Sequence, residues 1–222
     1  MERKSLKDSR QNEWKSIDHV LSYLLRADKL PHRTEGEKVL LDQIPEGAKR
    51  ILDLGTGDGR LLALLRIKNP NSEGVALDFS EFMLEAARKR FAEDAKVQVV
   101  KHDLNLPLPN GLGKFDVVVS SLAIHHLSHL RKKRLYREIF NMLTSKGVFC
   151  NLEHVSSPTT TLHLNFLKEV GQTLDTEDPS NKLLDVATQL KYLRNIGFVD
   201  VDCYWKWLEL ALLVGLKPDN SS

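Results

Sequence analysis

Three glycines, at every second position of LDLGTGDG, are the first residues whose spacing indicates a ligand site. Gly55, Gly57 and Gly59 follow an apolar stretch and precede a leucine-rich stretch of helical spacing, which predicts a strand-to-helix turn. Glycine is needed where a side chain would block a ligand or where the backbone angles exclude other residues. A dinucleotide turn would have its third glycine where Arg60 stands, and no Gly-Lys-Ser/Thr ending marks a P-loop. Asp58 at the start of the helix would repel a phosphate, so the turn is predicted to bind a ligand without phosphates.

Three acidic residues fall at the ends of predicted strands. Asp53 stands two positions before the first glycine, and Asp78 ends the second strand, where a carboxylate can accept hydrogen bonds from both hydroxyls of a ribose. Asp103 follows the third strand in KHDLNLPLP. A ligand with an ammonium group, a free ribose and an amino-bearing base would suit this set of carboxylates.

Histidines form a second group of residues suited to chemistry. His125 and His126 stand in AIHHLSHL after an apolar stretch, and His154 ends the next apolar stretch. Histidine is the usual general base near neutral pH, so these three are predicted to be catalytic; the alternative is that they line a pocket or cap helices. With His129 they would also offer ligands to a metal, but no HExxH or Cys/His spacing supports a metal site and none is expected.

Alternating strands and helices must position these residues. Apolar alternation predicts strands at 50–54, EGVALDF, KVQVVKHD, FDVVVSSLAI and VFCNLEHV, with helices between them and a closing hairpin in GFVDVDCYWKWLELALLVGLK. This order predicts an α/β fold with a mostly parallel sheet, helices on both faces and an antiparallel C-terminal edge strand. Ser80 is predicted to cap the helix EFMLEAARKRFAED. Ligands of such sheets bind beyond the carboxyl ends of the strands, where the candidate residues fall.

The remaining segments predict further helices. Helical spacing at 14–26 and 35–44 predicts an N-terminal helical lid over residues 1–48. Residues 49–222 are then one domain, with a helical insert at about 158–182. Arg33 in the lid would meet a ligand carboxylate, or else be solvated or cap a helix.

Composition excludes several classes of protein. The 222 residues carry a net charge of only +2, which by itself argues for neither nucleic acid nor membrane partners. Two cysteines in strand-like stretches argue against a disulfide framework. No secretory signal and no stretch of about 20 apolar residues is present, so a cytoplasmic monomer or homodimer without membrane contact is predicted.

Five motifs in order cover roughly residues 49–155: LDLGTGDG, VALDFS, KHDLNLPLP, FDVVVSSLAIHHL and LTSKGVFCNLEHV. In this order and spacing they resemble the class I S-adenosylmethionine-dependent methyltransferases, and the terminal hairpin resembles the one that closes the sheet in that family. The resemblance implies a Rossmann-like three-layer α/β/α sandwich with a seven-stranded sheet. It also implies S-adenosylmethionine as the methyl donor and S-adenosylhomocysteine as the product.

The resemblance assigns cofactor roles to matching positions. The glycine turn and Ser120 would border the methionine and ribose parts, with Asp53 near the amino group and Asp78 on the ribose hydroxyls. Phe79 would pack on the adenine, and Asp103 would accept a hydrogen bond from the amino group of the adenine. The full cofactor-binding set is Asp53, Gly55, Thr56, Gly57, Gly59, Asp78, Phe79, Asp103, Leu104 and Ser120, and Ser121 would help to open the acceptor pocket.

The methyl acceptor is less clearly indicated by the sequence. A small-molecule acceptor is favoured because no nucleic-acid module accompanies the domain. The alternative is a tRNA- or RNA-modifying methyl or carboxymethyl transferase, because HLRKKRLYR places Arg131, Lys132, Lys133, Arg134 and Arg137 on one helix. Such a run is more often a solvated helix face. A non-catalytic cofactor-binding protein is the third interpretation, and the intact glycines and carboxylates argue against it.

Overall fold

A seven-stranded sheet forms the centre of the computed structural model, which describes residues 30–219. The strands are β1 (Arg50–Leu54), β2 (Glu73–Asp78), β3 (Val97–Lys101), β4 (Phe115–Ser121), β5 (Leu143–His154), β6 (Val199–Trp207) and β7 (Leu210–Leu216). They lie in the order β3-β2-β1-β4-β5-β7-β6, with β1 to β5 parallel. The α/β class and the seven-stranded, mostly parallel sheet are confirmed.

Helices cover both faces of this sheet. They are α1 (Arg33–Asp42), α2 (Arg60–Lys68), α3 (Glu81–Arg90), α4 (His129–Met142), α5 (Thr160–Glu169) and α6 (Val186–Ile196). Successive strand residues point to opposite faces, so Leu52 packs in the core that α4 and α6 cover, and Ile51 packs in the core that α1 and α2 cover. The result is the three-layer sandwich that the resemblance implied.

The reversed strand lies one place in from the edge of the sheet. β7 pairs antiparallel with both β5 and β6, so β6 at the edge runs in the same direction as the parallel strands. The sequence predicted an antiparallel hairpin, which is present, but placed its reversed strand at the edge itself. The order of two hairpin strands within a sheet depends on which one pairs with β5, and apolar alternation does not specify that choice.

Local sequence signals explain where the helices begin. The Ser80 side chain accepts a hydrogen bond from the backbone N–H of Met83, which confirms the predicted cap of α3. The predicted helix at 35–44 is α1, displaced by two residues. The other predicted lid helix, at 14–26, lies outside the described residues, so the domain division stays a prediction.

Helix α1 packs directly on the sheet. A Cβ on Gly36 would lie 2.8 Å from side-chain carbons of both Leu152 and Trp205, so only glycine permits this close approach. Glu37 on the same helix is completely buried and pairs with Arg33 and with Arg60, the residue that follows the glycine turn. The helix therefore connects the far half of the sheet to the glycine turn.

No helix within residues 30–219 is long and apolar enough to cross a membrane. The cytoplasmic location stays a prediction.

Candidate functional site

A cavity of about 950 Å³ lies at the carboxyl ends of β1, β2 and β4, and it is called the cofactor cavity below. Ten residues were predicted to bind the cofactor, and all except Gly59 and Ser120 line this cavity. The lining residues from that set are Asp53, Gly55, Thr56, Gly57, Asp78, Phe79, Asp103 and Leu104.

The three glycines of the turn have different roles. Each has a positive φ angle, which favours glycine. A Cβ on Gly57 would meet no atom of residues 30–219 within 4 Å, so this position leaves open space in the cavity wall. A Cβ on Gly59 would lie 2.5 Å from the Phe91 ring, and one on Gly55 would lie 2.2 Å from the Ala123 Cβ. Gly57 thus faces the cavity, whereas Gly55 and Gly59 permit close packing of the turn on its neighbours.

Asp78 is fixed by the backbone of the glycine turn. One carboxylate oxygen accepts a hydrogen bond from the Gly57 N–H and the other from the Ser80 N–H, each at 2.9 Å. Each oxygen of an ionised carboxylate accepts about two hydrogen bonds, so both oxygens keep a free lone pair. The side chain lies at the cavity wall, where those lone pairs can receive two ligand hydroxyls.

Asp53 lies at the floor of the cavity and is almost completely buried. Burial raises the pKa of its carboxyl to about 7, although the hydrogen bond from the Thr56 hydroxyl, at 2.6 Å, acts in the opposite direction. The carboxyl is therefore partly protonated near neutral pH. A ligand ammonium group placed beside it would favour the ionised form.

Phe79 and Asp103 form the outer part of the cavity. The Phe79 side chain is 69% exposed, which is unusual for so large an apolar group, and leaves a free ring face for a planar ligand. The Asp103 carboxylate accepts hydrogen bonds from the backbone and side-chain N–H groups of Asn105. These hydrogen bonds fix the loop after β3. Leu104 is buried beside it.

Two adjacent serines at the end of β4 are separated by the pleat of the strand. Ser120 is completely buried and its hydroxyl donates to the Leu54 carbonyl at 2.8 Å, so it connects β4 to β1 rather than lining the cavity. Ser121 lines the cavity, and its buried hydroxyl has no hydrogen-bond partner within the part of the chain that the structure describes. An unpaired buried hydroxyl indicates a missing partner. With the open position at Gly57 and the lone pairs of Asp78, it fits a polar, ribose-bearing ligand such as S-adenosylmethionine.

A second cavity of about 400 Å³ adjoins the first and is called the acceptor chamber below. It shares Leu122, His126 and Asp178 with the cofactor cavity. Its other lining residues are Leu30, His125, His154, Phe166, Val170, Gln172, Asn181 and Leu210. The three predicted catalytic histidines are thus brought together in one chamber, with ring centroids of His125 lying 4.0 Å from His126 and 5.6 Å from His154.

Two of these histidines are held by buried carboxylates. His125 Nδ1 lies 2.8 Å from an oxygen of Glu153, and His154 Nε2 lies 3.0 Å from an oxygen of Glu209. Both glutamates are completely buried. A carboxylate partner fixes the orientation and the tautomer of a neutral imidazole. His126 instead has the Ser180 hydroxyl at 2.8 Å, and burial together with the neighbouring His125 lowers its pKa.

The turn that carries His125 and His126 is fixed by a buried lysine. Lys132 is completely buried, and its ammonium group donates to the backbone carbonyls of His125, Leu127 and Lys182 at 2.7–3.0 Å. Burial lowers its pKa to about 8. All three N–H bonds of the ammonium group have acceptors, which satisfies the buried charge.

The basic run on α4 does not form one surface. Arg131 and Lys132 point inward, and Arg131 donates to the carbonyls of Leu104 and Leu106. Lys133, Arg134 and Arg137 stay exposed. The five residues share one helix, as predicted, but the run is not wholly a solvated face, because helical spacing places Arg131 and Lys132 against the core.

Two residues of the chamber network were missed from the sequence. Glu209 stands alone in the apolar hairpin KWLELALL, and a lone carboxylate between two apolar strands is a signal that could have been used. His163 on α5 bonds the same carboxylate at 3.0 Å, and no sequence pattern marks it. No group of three or more His, Cys, Asp or Glu residues within 30–219 is arranged to hold a metal ion.

Comparison with known proteins assigns the family. A family model described as a methyltransferase domain matches residues 51–147. Demethylmenaquinone methyltransferase of Clavibacter sepedonicus is 39% identical over 181 residues, covering 79% of this chain and 70% of the relative. Carboxy-S-adenosyl-L-methionine synthase of Nautilia profundicola is 24% identical over 76% of this chain and 77% of the relative.

A solved O-methyltransferase family protein from Burkholderia thailandensis shares the fold, with a TM-score of 0.67 at 16% identity. The match covers 92% of this chain and 60% of that protein, so the chain spans about three fifths of its length. The chain therefore belongs to the class I S-adenosylmethionine-dependent methyltransferases, and S-adenosylmethionine is its cofactor.

Proposed function

We propose that this protein transfers a methyl group to a small-molecule acceptor whose hydroxyl or similar acidic group is deprotonated by His125. The observation that carries the proposal is the acceptor chamber, where three histidines surround a space of about 400 Å³ that adjoins the cofactor cavity. That volume lies in the range of sites for small ligands.

In this reaction the residues of the chain align the reacting groups and remove a proton from the acceptor. When bound, S-adenosylmethionine supplies an electrophilic methyl group. Glu153 accepts from Nδ1 of neutral His125, which leaves the Nε2 lone pair of that ring as the base. Gly55 packs on Ala123, so the glycine turn and the histidine turn are in contact and keep a fixed separation. Fixed alignment supplies much of the acceleration of an in-line displacement.

The remaining interpretations predict different products. Three relatives are named carboxy-S-adenosyl-L-methionine synthases, so a carboxylated cofactor is one alternative product. RNA is another alternative acceptor, although only Lys133, Arg134 and Arg137 of the basic run stay exposed on α4. A chamber of about 400 Å³ favours a small molecule over a polynucleotide.

Incubation of the protein with methyl-labelled S-adenosylmethionine and cell extract tests the proposal. Label in a small-molecule fraction, identified by mass spectrometry and reduced at least about 100-fold in His125→Ala, is expected. Label in RNA, or a carboxylated cofactor without a labelled acceptor, would replace the proposal with the corresponding alternative.

Calorimetry with S-adenosylhomocysteine provides the control for cofactor binding. His125→Ala should bind it with unchanged affinity, whereas Asp78→Ala should bind about 10- to 100-fold more weakly because the ribose hydroxyls lose their acceptor. Absence of binding by the unmodified protein would overturn the methyltransferase proposal altogether.

A further inference from the structure

Glu209 contacts both a histidine in the wall of the acceptor chamber and a second histidine on helix α5. One oxygen lies 3.0 Å from His154 Nε2 and the other lies 3.0 Å from His163 Nδ1 on α5. The backbone N–H of Ser157 donates to it as well, at 3.2 Å. The carboxylate is completely buried, and its hydrogen bonds hold its pKa below the ordinary value against the effect of burial. It is therefore an ionised acceptor, and the ring nitrogens that face it carry protons.

Each of the two histidines of the chamber wall uses one ring nitrogen in a hydrogen bond with a buried carboxylate. In the tautomer of His154 that donates from Nε2 to Glu209, the Nδ1 atom bears a lone pair. His125 donates from Nδ1 to Glu153, so its Nε2 atom bears a lone pair. Neither of these two atoms has a hydrogen-bond partner among residues 30–219. Both are therefore available to a ligand that enters the chamber. The chamber thus offers two acceptor nitrogens on rings whose centroids are 5.6 Å apart.

One side of the chamber is suited to an apolar frame, whereas His126, Gln172, Asp178 and Asn181 make the rest of its lining polar. Phe166 packs on His154 with ring centroids 5.0 Å apart, and Leu122 and Leu210 complete that wall. Acceptors that lose water when a ligand enters and find no donor on it are unfavourable, whereas apolar walls favour a ring or a short hydrocarbon. A molecule with one hydroxyl would leave one of the two nitrogens unpaired.

Resting on the methyltransferase function proposed above, we propose that the acceptor carries two hydrogen-bond donors on one small apolar ring, as in a dihydric phenol or an aminophenol. His125 takes the proton of the group that is methylated, and His154 accepts a hydrogen bond from the other group. Glu209 is a positioning residue, because it acts through the tautomer of His154.

The test uses dihydroxybenzenes and their monomethyl ethers as probes. The three dihydroxybenzene isomers are titrated anaerobically into the protein saturated with S-adenosylhomocysteine, and each is compared with its own monomethyl ether. The two members of a pair have similar shape and differ by one donor. At least one dihydroxybenzene should bind about three- to tenfold more tightly than its ether, the usual effect of one hydrogen bond.

Two variants separate the role of His154 from a general loss of structure. In His154→Phe the preference for the dihydroxy probe should fall to about one, while the affinity for S-adenosylhomocysteine stays unchanged. In Glu209→Gln the ¹⁵N signals of His154 and His163 should shift and those of His125 should not, because Glu153 holds the latter. Binding of the preferred probe should shift the signals of His125 Nε2 and His154 Nδ1 together.

Equal binding of every dihydroxybenzene and its ether, or binding of neither, would overturn the two-donor inference. A natural acceptor with a single donor, found in the labelled-extract experiment, would overturn it as well and leave methyl transfer in place. Failure of the unmodified protein to bind S-adenosylhomocysteine would overturn the function on which it rests.

Discussion

At the scale of single residues, two of the carboxylates that line the cofactor cavity differ in how their charge is stabilised. Asp78 receives two backbone N–H donors, which stabilise its charge. Asp53 is buried with one hydroxyl donor, and burial raises its pKa to about 7. The first has lone pairs for ligand hydroxyls, whereas the protonated fraction of the second must lose its proton before it can pair with an ammonium group.

Cofactor affinity should therefore depend on pH through Asp53. The carboxyl is mostly protonated at pH 5.5 and mostly ionised at pH 7.5, and only the ionised form pairs with the amino group of the ligand. The dissociation constant of S-adenosylhomocysteine should fall on the order of 10-fold across this range. Calorimetry of the unmodified protein and of Asp53→Asn measures it; a similar pH dependence in the variant would assign the proton to another group.

Two glycines of the same turn should respond differently to alanine. Gly59→Ala combines a φ of +81° with a Cβ 2.5 Å from the Phe91 ring, and it should lower the free energy of unfolding by about 2–4 kcal/mol. Gly57→Ala meets no atom among the described residues, so it should cost only about 1 kcal/mol of strain but weaken S-adenosylhomocysteine binding about 10-fold or more. Urea titration and calorimetry measure the two effects. Loss of binding without loss of stability in Gly59→Ala would contradict the assignment.

At the scale of elements, α5 is attached to the sheet by a charged contact as well as by its apolar face. Phe166 and Leu167 are buried against Leu210, and His163 bonds both Glu209 and Glu177. Burial opposes the charge on His163, but the two glutamates outweigh it and raise its pKa above the ordinary value. The helix is therefore held most firmly when this imidazole is charged.

His163→Gln should destabilise the protein more at low pH than at high pH. Because the folded pKa of His163 lies above the unfolded value of about 6.5, its stabilisation is complete below that value and is lost as pH rises through the raised pKa. The difference in the free energy of unfolding between variant and parent should thus be larger at pH 6 than at pH 8.5, by urea titration. Asn165→Gln, an uncharged change on the exposed side of α5, should show no such trend.

At the scale of the whole molecule, sequence reasoning predicted the sheet and the cavity better than the buried contacts that hold the site residues in place. Strand alternation and the glycine turn predicted the sheet, the cavity and most of its lining, because these follow from local periodicity and from the rule that ligands bind at the carboxyl ends of strands. Glu209 lies 55 positions from the histidine that it orients. No local pattern encodes such a pairing.

Ligand binding should stabilise the molecule as a unit. At a concentration 100 times its dissociation constant, S-adenosylhomocysteine should add about 2.7 kcal/mol, equivalent to a Tm increase of about 5–10 °C for a chain of this size. Asp78→Ala, with its roughly 10- to 100-fold weaker binding, should gain only about 0.4–1.4 kcal/mol at the same concentration. An equal increase in that variant, measured by differential scanning calorimetry, would place the ligand away from the ribose acceptor.

The interior position of β7 has a consequence for synthesis of the protein on the ribosome. When the chain has emerged only as far as residue 200, β5 is an open sheet edge, because the strand that covers it is made later. β6 emerges before its partner and must wait for β7 to enter between it and β5. Glu209 and Leu210 arrive with that last strand, so a nascent chain has the glycine turn and the cofactor carboxylates before it has a finished acceptor chamber.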